Sequence, residues 1–452
     1  MIMASKEKHV FVCSQCGKSS PRWMGRCPEC GAWDSFEEEV QVKTRPSARK
    51  GPGPQPALSL DMVEAGGKAA RLVTGIGEFD RVTGGGIFPK SIILLSGGPG
   101  IGKSTLTLQV CHGLQEKGGL VLYFSAEESS IQIRDRAERL GIRRDILLSN
   151  EERLDEILAM IVSQETDLIV IDSIQTVYDT ALDAVPGTVS QIRNAMFRLR
   201  EAAQRHGKTI LVIGHVTKSG NVAGPMFMEH MVDVVLLLEG DDKNFWRILR
   251  AKKNRYGSTQ EIGVFTMEKE GLREVLNPSS FFIEESPFLS GSVMGSVMEG
   301  IRPIFLEIQA LTSRSVYAMP QRVANGIDTR MMNIILAVLE KRLNFHMGQQ
   351  DVFLNIVGGF RAQEPSVGLA VAMAILSTLK NRELDRRDLF MGEVGLSGEI
   401  RNIPFLERRV EEAAKLGFKR AFVPGAAENL KKKGLEIIPC ATIHEAAGKA
   451  FP

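Results

Sequence analysis

Residues 97–105 read GGPGIGKST, and their types and spacing are those of a phosphate cradle. Gly97, Gly102, Lys103 and Ser104 satisfy G-x-x-x-x-G-K-[ST]. Glycines let backbone N–H groups turn inward around phosphate oxygens, and a helix that follows aims its positive end at the same anion. The apolar run before the loop predicts a strand and the pattern after it a helix, which is the context this motif requires. Gly97, Gly98, Pro99, Gly100, Ile101, Gly102, Lys103, Ser104 and Thr105 are therefore the candidate ATP-binding residues. Lys103 is expected to reach the β- and γ-phosphates, and the Ser104 hydroxyl to ligate Mg2+.

Three further strand ends carry groups suited to the same chemistry. "DLIVIDS" ends in Asp172, which fits the acidic residue of a magnesium shell. Alone, such an aspartate is often a helix cap or a loop residue; after a phosphate loop the metal role is the better reading. "LVLYFSAEESS" ends in Glu127 and Glu128. A carboxylate there could orient or deprotonate an attacking water. Glu127 is the favoured catalytic residue, and Glu128 the alternate or a cap for the helix that follows. His215 closes "TILVIGHV", where it could sense the γ-phosphate or simply be satisfied near a loop.

A second kind of chemistry is written near the N-terminus. Cys13 and Cys16 form one Cys-x-x-Cys pair, Cys27 and Cys30 another, with a ten-residue loop between them. Two such turns offer four thiolates to one tetrahedral ion, which suits zinc, and with every position filled by protein the metal is structural. Two disulfides are the other reading, which a reducing compartment disfavours. Arg22, Trp23 and Arg26 in the loop could meet DNA or a partner, or Trp23 could just cover the small core. Cys111 and Cys440 stand alone and read as reduced core residues.

These groups need a scaffold. The 452 residues are too many for one core, and two or three domains are expected. With 43% hydrophobic and 24% charged residues, most of the chain should fold. A formal net charge of +2 does not announce a nucleic-acid binder, so any such site must be a local basic surface. No run is long and apolar enough to span a bilayer and no signal core opens the chain, so a cytoplasmic protein without membrane contact is expected. Between the cysteines and the phosphate loop, Pro, Gly and charge accumulate without apolar periodicity, which reads as a flexible linker. Strands then alternate with helical segments such as "VSQIRNAMFRLREAAQRHG". That predicts a mostly parallel sheet with helices on both faces and ligand at the carboxyl ends of the strands. From about residue 280 the pattern resets, and "RPIFLEIQALTS", "MMNIILAVLEKRLN" and "SVGLAVAMAILSTLK" predict a second α/β domain.

"TGIGEFDRVTGGGIFPKSIILLSGGPGIGKST" resembles the entry to a RecA-type ATPase. With the cysteine pairs before it and "KNRYG" after it, the whole chain resembles the bacterial RadA/Sms family of DNA-repair ATPases. The resemblance implies an α/β protein with a small N-terminal zinc ribbon, a RecA-like P-loop ATPase core and a C-terminal Lon-protease-like domain. Its boundaries are a zinc ribbon at 1–37, a linker at 38–60, an ATPase domain at 61–278 and a non-proteolytic Lon-like domain at 279–452. It further implies ATP, Mg2+ and Zn2+ as cofactors, a homo-oligomeric ring, hexameric by the family's analogy, and single-stranded and branched DNA and the RecA recombinase as partners. In such rings a cation from one subunit reaches the γ-phosphate held by its neighbour. Lys253 and Arg255 are the candidates for that trans-acting pair, with Lys252 turned the other way by strand alternation. The family's usual motif has Phe where this chain has Tyr256, and the added hydroxyl is without a role at this level. "DTALDAVPGTVSQ" and "VTKSGNVAGPMFMEH", the latter with Lys218, are candidate DNA loops.

"QEPSVGLAVAMA" resembles the start of the helix that carries the nucleophile of Lon proteases and places Ser366 there. Lon-type chemistry needs a lysine base, but the matching position holds Glu407, so Ser366 is expected to cap a helix instead. Lys380, Arg382, Arg386, Arg387, Arg401, Arg408 and Arg409 are candidate DNA contacts of this domain. The function expected is a DNA-dependent ATPase acting as a DNA motor, a helicase or branch-migration enzyme in recombination and repair. Its rivals are an ATP-dependent Lon-type serine peptidase and a nucleotide-switched adaptor ATPase.

Overall fold

The computed structural model describes residues 8–13, 18–29, 31–41, 71–142, 146–215, 227–240, 246–276, 279, 289–316, 319–357, 361–362, 364–427 and 429–451. Two compact units divide between Val275 and Leu276. Among the described residues no helix is long and apolar enough to cross a membrane.

The first unit opens with a small antiparallel sheet, β1 (Lys8–Cys13) between β2 (Ser19–Ser20) and β3 (Phe36–Gln41). Register sets Cys13 opposite Phe36 and carries pairing on to Gln41. The paired strand therefore takes residues 38–41 from the expected linker.

The ATPase-type sheet has nine strands. They are β4 (Ile92–Gly97), β5 (Val121–Ser125), β6 (Leu147–Ser149), β7 (Leu168–Asp172), β8 (Ile210–His215), β9 (Val234–Glu239), β10 (Trp246–Asn254), β11 (Ile262–Glu268) and β12 (Gly271–Glu274). Their order is β12-β11-β10-β9-β4-β8-β7-β5-β6. The six strands from β9 to β6 are parallel, and β10 to β12 are added antiparallel at one edge. The connections into β10, β11 and β12 are too short for crossover helices, so these strands reverse direction.

Because β4, β5 and β7 are buried on both faces, they read as continuous apolar runs. Helices α1 (Gly77–Thr83), α2 (Lys103–Glu116) and α3 (Ser130–Arg139) cover one face through Phe79, Leu106, Val110 and Ile133. On the other face α4 (Leu154–Ser163), α5 (Val189–His206) and α6 (Phe227–Met231) contribute Ile157, Met196, Leu199 and Met228.

A β-bulge fixes where the basic residues of β10 go. Ala251 pairs with Leu236, but the next pair is Lys253 with Val235, so Lys252 is an extra, exposed residue. A period of two would have kept Lys253 on the face of Leu249 and Ala251. The bulge instead sends Lys253 to the α6 face, where Nζ donates to the carbonyls of Glu229 at 2.8 Å and Val232 at 2.7 Å. Asn254 then returns to the α1 face and donates to the carbonyls of Val82 and Thr83. Lys252 and Lys253 do diverge as alternation suggests, but the bulge rather than the pleat decides the faces.

Tyr256 lies flat against Phe88, with centroids 4.0 Å apart and planes 5° apart. Arg71 sits over the far ring and donates to the Tyr256 carbonyl at 2.6 Å. The hydroxyl that distinguishes this chain from the family's Phe hydrogen-bonds Asp233. Asp233 also accepts from Arg255 Nη1 at 2.9 Å and from the backbone N–H of Ile92 at 3.1 Å, at the start of β4. One carboxylate thus ties the turn after β10 to the strand that leads into the phosphate loop.

The second unit is a seven-stranded mixed sheet in the order β15-β16-β14-β13-β17-β20-β21. Its strands are β13 (Ser292–Glu299), β14 (Arg302–Arg314), β15 (Arg322–Asn325), β16 (Gln350–Ile356), β17 (Asp388–Phe390), β20 (Arg420–Pro424) and β21 (Glu436–Cys440), with β18 (Glu393–Val394) and β19 (Ile400–Arg401) as a separate pair. Helices α7 (Thr329–Leu343), α8 (Gly368–Lys380), α9 (Leu406–Lys415) and α10 (Ile443–Ala450) surround it. α8 is buried without a break from Gly368 to Ser377, which explains its nearly all-apolar sequence.

Tyr256→Phe should lower unfolding free energy by about 1 kcal/mol, the net worth of one hydrogen bond. Tyr256→Ala should cost roughly 2 kcal/mol or more, short of the ~3–5 kcal/mol of a fully buried ring. Denaturant unfolding of the two variants checks this; equal losses would mean that the ring stack contributes nothing.

Candidate functional site

The phosphate loop joins β4 to α2, whose N-cap Gly102 has φ 111°, a conformation only glycine adopts easily. A side chain on Gly97 would meet the Leu238 carbonyl at 2.6 Å, whereas Gly98 and Gly100 face open space. The loop is tight against β9 and open where an anion would sit. Lys103 Nζ donates to the carbonyls of Gly97 at 3.0 Å and Gly98 at 2.9 Å. Burial pulls its pKa down, while Asp172 and then Glu127 pull it up. A buried ammonium beside an open loop is suited to a phosphate.

Parallel register brings the next strand ends to the same edge. Gly97 pairs with His215, and Ser125 with Asp172. Asp172 is 5% exposed and accepts from the Tyr123 hydroxyl at 2.6 Å and from Ser104. Burial raises its pKa, the two hydrogen bonds oppose the rise, and Glu127 and Glu128 add to it. Gly100, Gly102, Lys103, Ser104, Thr105, Glu127, Glu128 and Asp172 share one cavity of about 280 Å3. Several carboxylates and a hydroxyl facing one lysine form a donor set that suits a hard divalent cation with a phosphate.

The two adjacent glutamates separate cleanly. Glu128 is held in a two-pronged pair by Arg136, both contacts 2.6 Å. It does not cap α3; Ser129 does, in a reciprocal capping box with Gln132. Glu127 is exposed to the cavity.

Four residues escaped sequence reasoning. Arg136 and Arg139 line the cavity from α3. Two arginines three apart, on a helix that starts just after the Glu127 strand, were a readable signal. Arg247 is 8% exposed, and its Nε donates to the Ile101 carbonyl at 3.1 Å, bracing the phosphate loop from β10. It shares the buried face of β10 with Leu249 and Ala251, so a charge on an apolar stripe was its mark. Tyr123 gave no signal within an apolar strand.

Lys253 and Arg255 are not brought to this cavity. Val234 pairs with both Ile93 and Asn254, so the basic turn lies at the amino end of the parallel strands. Gly97 is four residues further along β4, about 13 Å away at roughly 3.3 Å per residue. Burial lowers the Lys253 pKa first, and the nearby Arg255 lowers it further.

Cys13 and Cys27 are buried, form no disulfide and share a small core with Phe36, which is the placement that two of four ligands to one ion need. Cys16 and Cys30 lie outside the described residues, and no set of three or more metal-binding side chains is assembled among the described ones. Trp23 is 52% exposed, so it does not seal that core. Cys111 and Cys440 are buried and free, as expected, and burial pushes the Cys440 thiol to about 11. Of the two candidate DNA loops, the first is shaped by Gln191, which bonds backbone at Asp179, Leu182 and Ala184. Residues 216–226 of the second, Lys218 among them, lie outside the described residues.

In the second unit the expectation for Ser366 is overturned. It lies in a short 3-10 turn, Pro365–Val367, and caps nothing; α8 begins after Val367 with no side-chain cap. Its hydroxyl donates to the Ser296 carbonyl at 3.1 Å and accepts from Arg409 Nη1 at 3.3 Å. Arg409 is fully buried, donates also to the Ser296 and Pro404 carbonyls, and pairs with Glu364. It is therefore no surface contact for DNA, unlike the exposed Arg382, Arg387 and Arg401. Glu407, two residues earlier on α9, points elsewhere, into a separate cavity with Asn402, Phe405 and Asn429. A guanidinium stays protonated and cannot take a proton from Ser366.

Comparison with known proteins agrees with this layout. The family model for a rubredoxin metal binding domain matches residues 11–38, that for an AAA domain 78–221, and that for subunit ChlI of Mg-chelatase 306–427. The DNA repair protein RadA of Bacillus subtilis (strain 168) is 45% identical over 457 residues, covering 98% of each chain. Its namesake in Streptococcus pyogenes serotype M1 is 42% identical, covering 99% of this chain and all of its own. The one in Synechocystis sp. is 40% identical, covering 99% and 95%. With a ribbon, a RecA-like core and a second α/β domain in the same order along nearly its whole length, the chain belongs to the RadA family of DNA repair proteins.

Proposed function

We propose that the chain is a DNA-dependent ATPase working as a ring-shaped DNA motor, hexameric by family analogy. It loads on single-stranded and branched DNA and drives branch migration in homologous recombination and repair, with the RecA recombinase as partner. The observation that carries this reading is the separation of Lys253 and Arg255 from the phosphate cradle of their own chain. At the far edge of the sheet these cations are out of reach of their own chain's nucleotide, which supports a role at a neighbouring subunit's.

The residues divide the work. The loop from Gly97 to Thr105 binds the triphosphate, and Lys103 moves from the Gly97 and Gly98 carbonyls to the phosphates. Ser104 and Asp172 would hold Mg2+, which would supply positive charge to the nucleotide's phosphates. Glu127 orients and deprotonates the attacking water, while Arg136 keeps Glu128 from competing for it. Arg255 of a neighbouring subunit, half exposed and aimed by Asp233, stabilises charge spreading over the transferred group. Lys253 steadies the turn through the end of α6 and adds its charge. In the ribbon, Cys13, Cys16, Cys27 and Cys30 hold a structural zinc. The second unit acts as a non-proteolytic Lon-like scaffold: Arg409 occupies the place where a base would have to approach Ser366.

Arg255→Ala should bind ATP normally, yet lose about 10³-fold or more in turnover, the usual range for a trans arginine. Lys103→Ala should fail to bind. Mixed together, the two should recover activity, because a Lys103→Ala subunit still lends its cations to the intact cradle beside it. If both variants assemble and the mixture stays as inactive as its parts, the shared-site reading is wrong.

Protein purified without chelator should carry one zinc per chain by elemental analysis. Cys13→Ser or Cys27→Ser should lose that zinc and leave ATP binding intact. A metal-free wild-type chain with four titratable ribbon thiols would refute the assignment.

A further inference from the structure

Tyr123 lies in the middle of the sheet at 0% exposure, with apolar neighbours on the α2 face. A phenolic hydroxyl in such a place needs a partner, and phenylalanine would fill the same space without one. The partner is Asp172 Oδ2 at 2.6 Å, the short distance of a donor meeting an ionised carboxylate. Register explains the meeting. Ser125 pairs with Asp172 and Tyr123 with Val170, so Tyr123 stands two residues behind the paired position on the same face. Its long side chain reaches along the strands to the carboxylate. Asp172 is thereby held from behind by β5 and contacted by Ser104 from α2. With Oδ2 engaged, the carboxyl group cannot rotate without breaking that bond.

We propose that Tyr123 is a positioning residue for the magnesium shell, locking the Asp172 carboxylate in the orientation that accepts Mg2+–nucleotide. This rests on the reading of Asp172 as a magnesium-shell residue. Groups that orient a metal-bearing side chain typically change ion affinity by about 10–100-fold when removed. A purely structural tyrosine would alter stability and leave ion dependence alone.

The test is Mg2+ titration of the binding of a fluorescent, non-hydrolysable ATP analogue, mant-AMP-PNP, to full-length protein. Tyr123→Phe removes one oxygen and keeps the ring, so the apolar packing survives; the melting temperature without nucleotide serves as the control. The Mg2+ concentration for half-maximal binding should rise about 10-fold, with affinity in EDTA unchanged. Asp172→Asn should raise it as well, and adding Tyr123→Phe to Asp172→Asn should produce no further rise, because the tyrosine acts through the carboxylate. A Tyr123→Phe curve that superimposes on wild type, or effects that simply add, overturns the proposal and leaves Asp172 standing. An Asp172→Asn curve that superimposes on wild type overturns the magnesium assignment of Asp172 itself, and the proposal with it.

Discussion

The direction of β10 is the constraint on which the rest of the molecule turns. Six parallel strands gather Gly97, Ser125, Asp172 and His215 at one edge of the sheet. β10 runs the other way along β9, so it passes Arg247 beside the phosphate loop and delivers Lys253 and Arg255 to the opposite edge. Had it joined by a crossover and run parallel, the basic turn would lie beside its own cradle. One antiparallel pairing thus makes each chain a holder of one phosphate cradle and a carrier of cations that face away from it.

The cradle itself is an electrostatic arrangement of sheltered, opposed charges. Lys103 is buried and held by two carbonyls, and Asp172 is buried beside two glutamates with hydrogen bonds from Tyr123 and Ser104. Charges sheltered from water act more strongly on one another than exposed ones. Arg136 neutralises Glu128, and the adjacent Glu127 is exposed at the cavity. Two identical side chains in adjacent positions thus meet different surroundings, Glu128 in a pair with Arg136 and Glu127 exposed at the cavity.

Much of this was legible because it is written in local pattern. Gly97 to Ser104, the apolar runs before Asp172 and Glu127, and α5, α7 and α8 all follow from glycine chemistry or periodicity. What was hidden depends on register between distant segments. No spacing rule announces a bulge at Lys252, the hydroxyl of Tyr256 meeting Asp233, or Tyr123 reaching Asp172 from the neighbouring strand. Ser366 misled for the same reason: a serine after proline looks like a cap until Arg409, 43 residues on, is folded against it. The three antiparallel edge strands were likewise unforeseen, since a strand's own residues do not state the direction of its neighbour.

That buried arginine also bears on what this domain could become. Replacing Arg409 with a neutral residue would leave the partly buried Glu364 without its cation and the Ser296 and Pro404 carbonyls each with one donor fewer. Such losses cost up to roughly 3–5 kcal/mol when a pair is fully buried, and less here because Glu364 keeps some contact with water. Any route that turned Ser366 into a working nucleophile would therefore have to change several positions at once. The guanidinium binds Ser366, Ser296, Pro404 and Glu364 into one unit that a single substitution does not release cleanly.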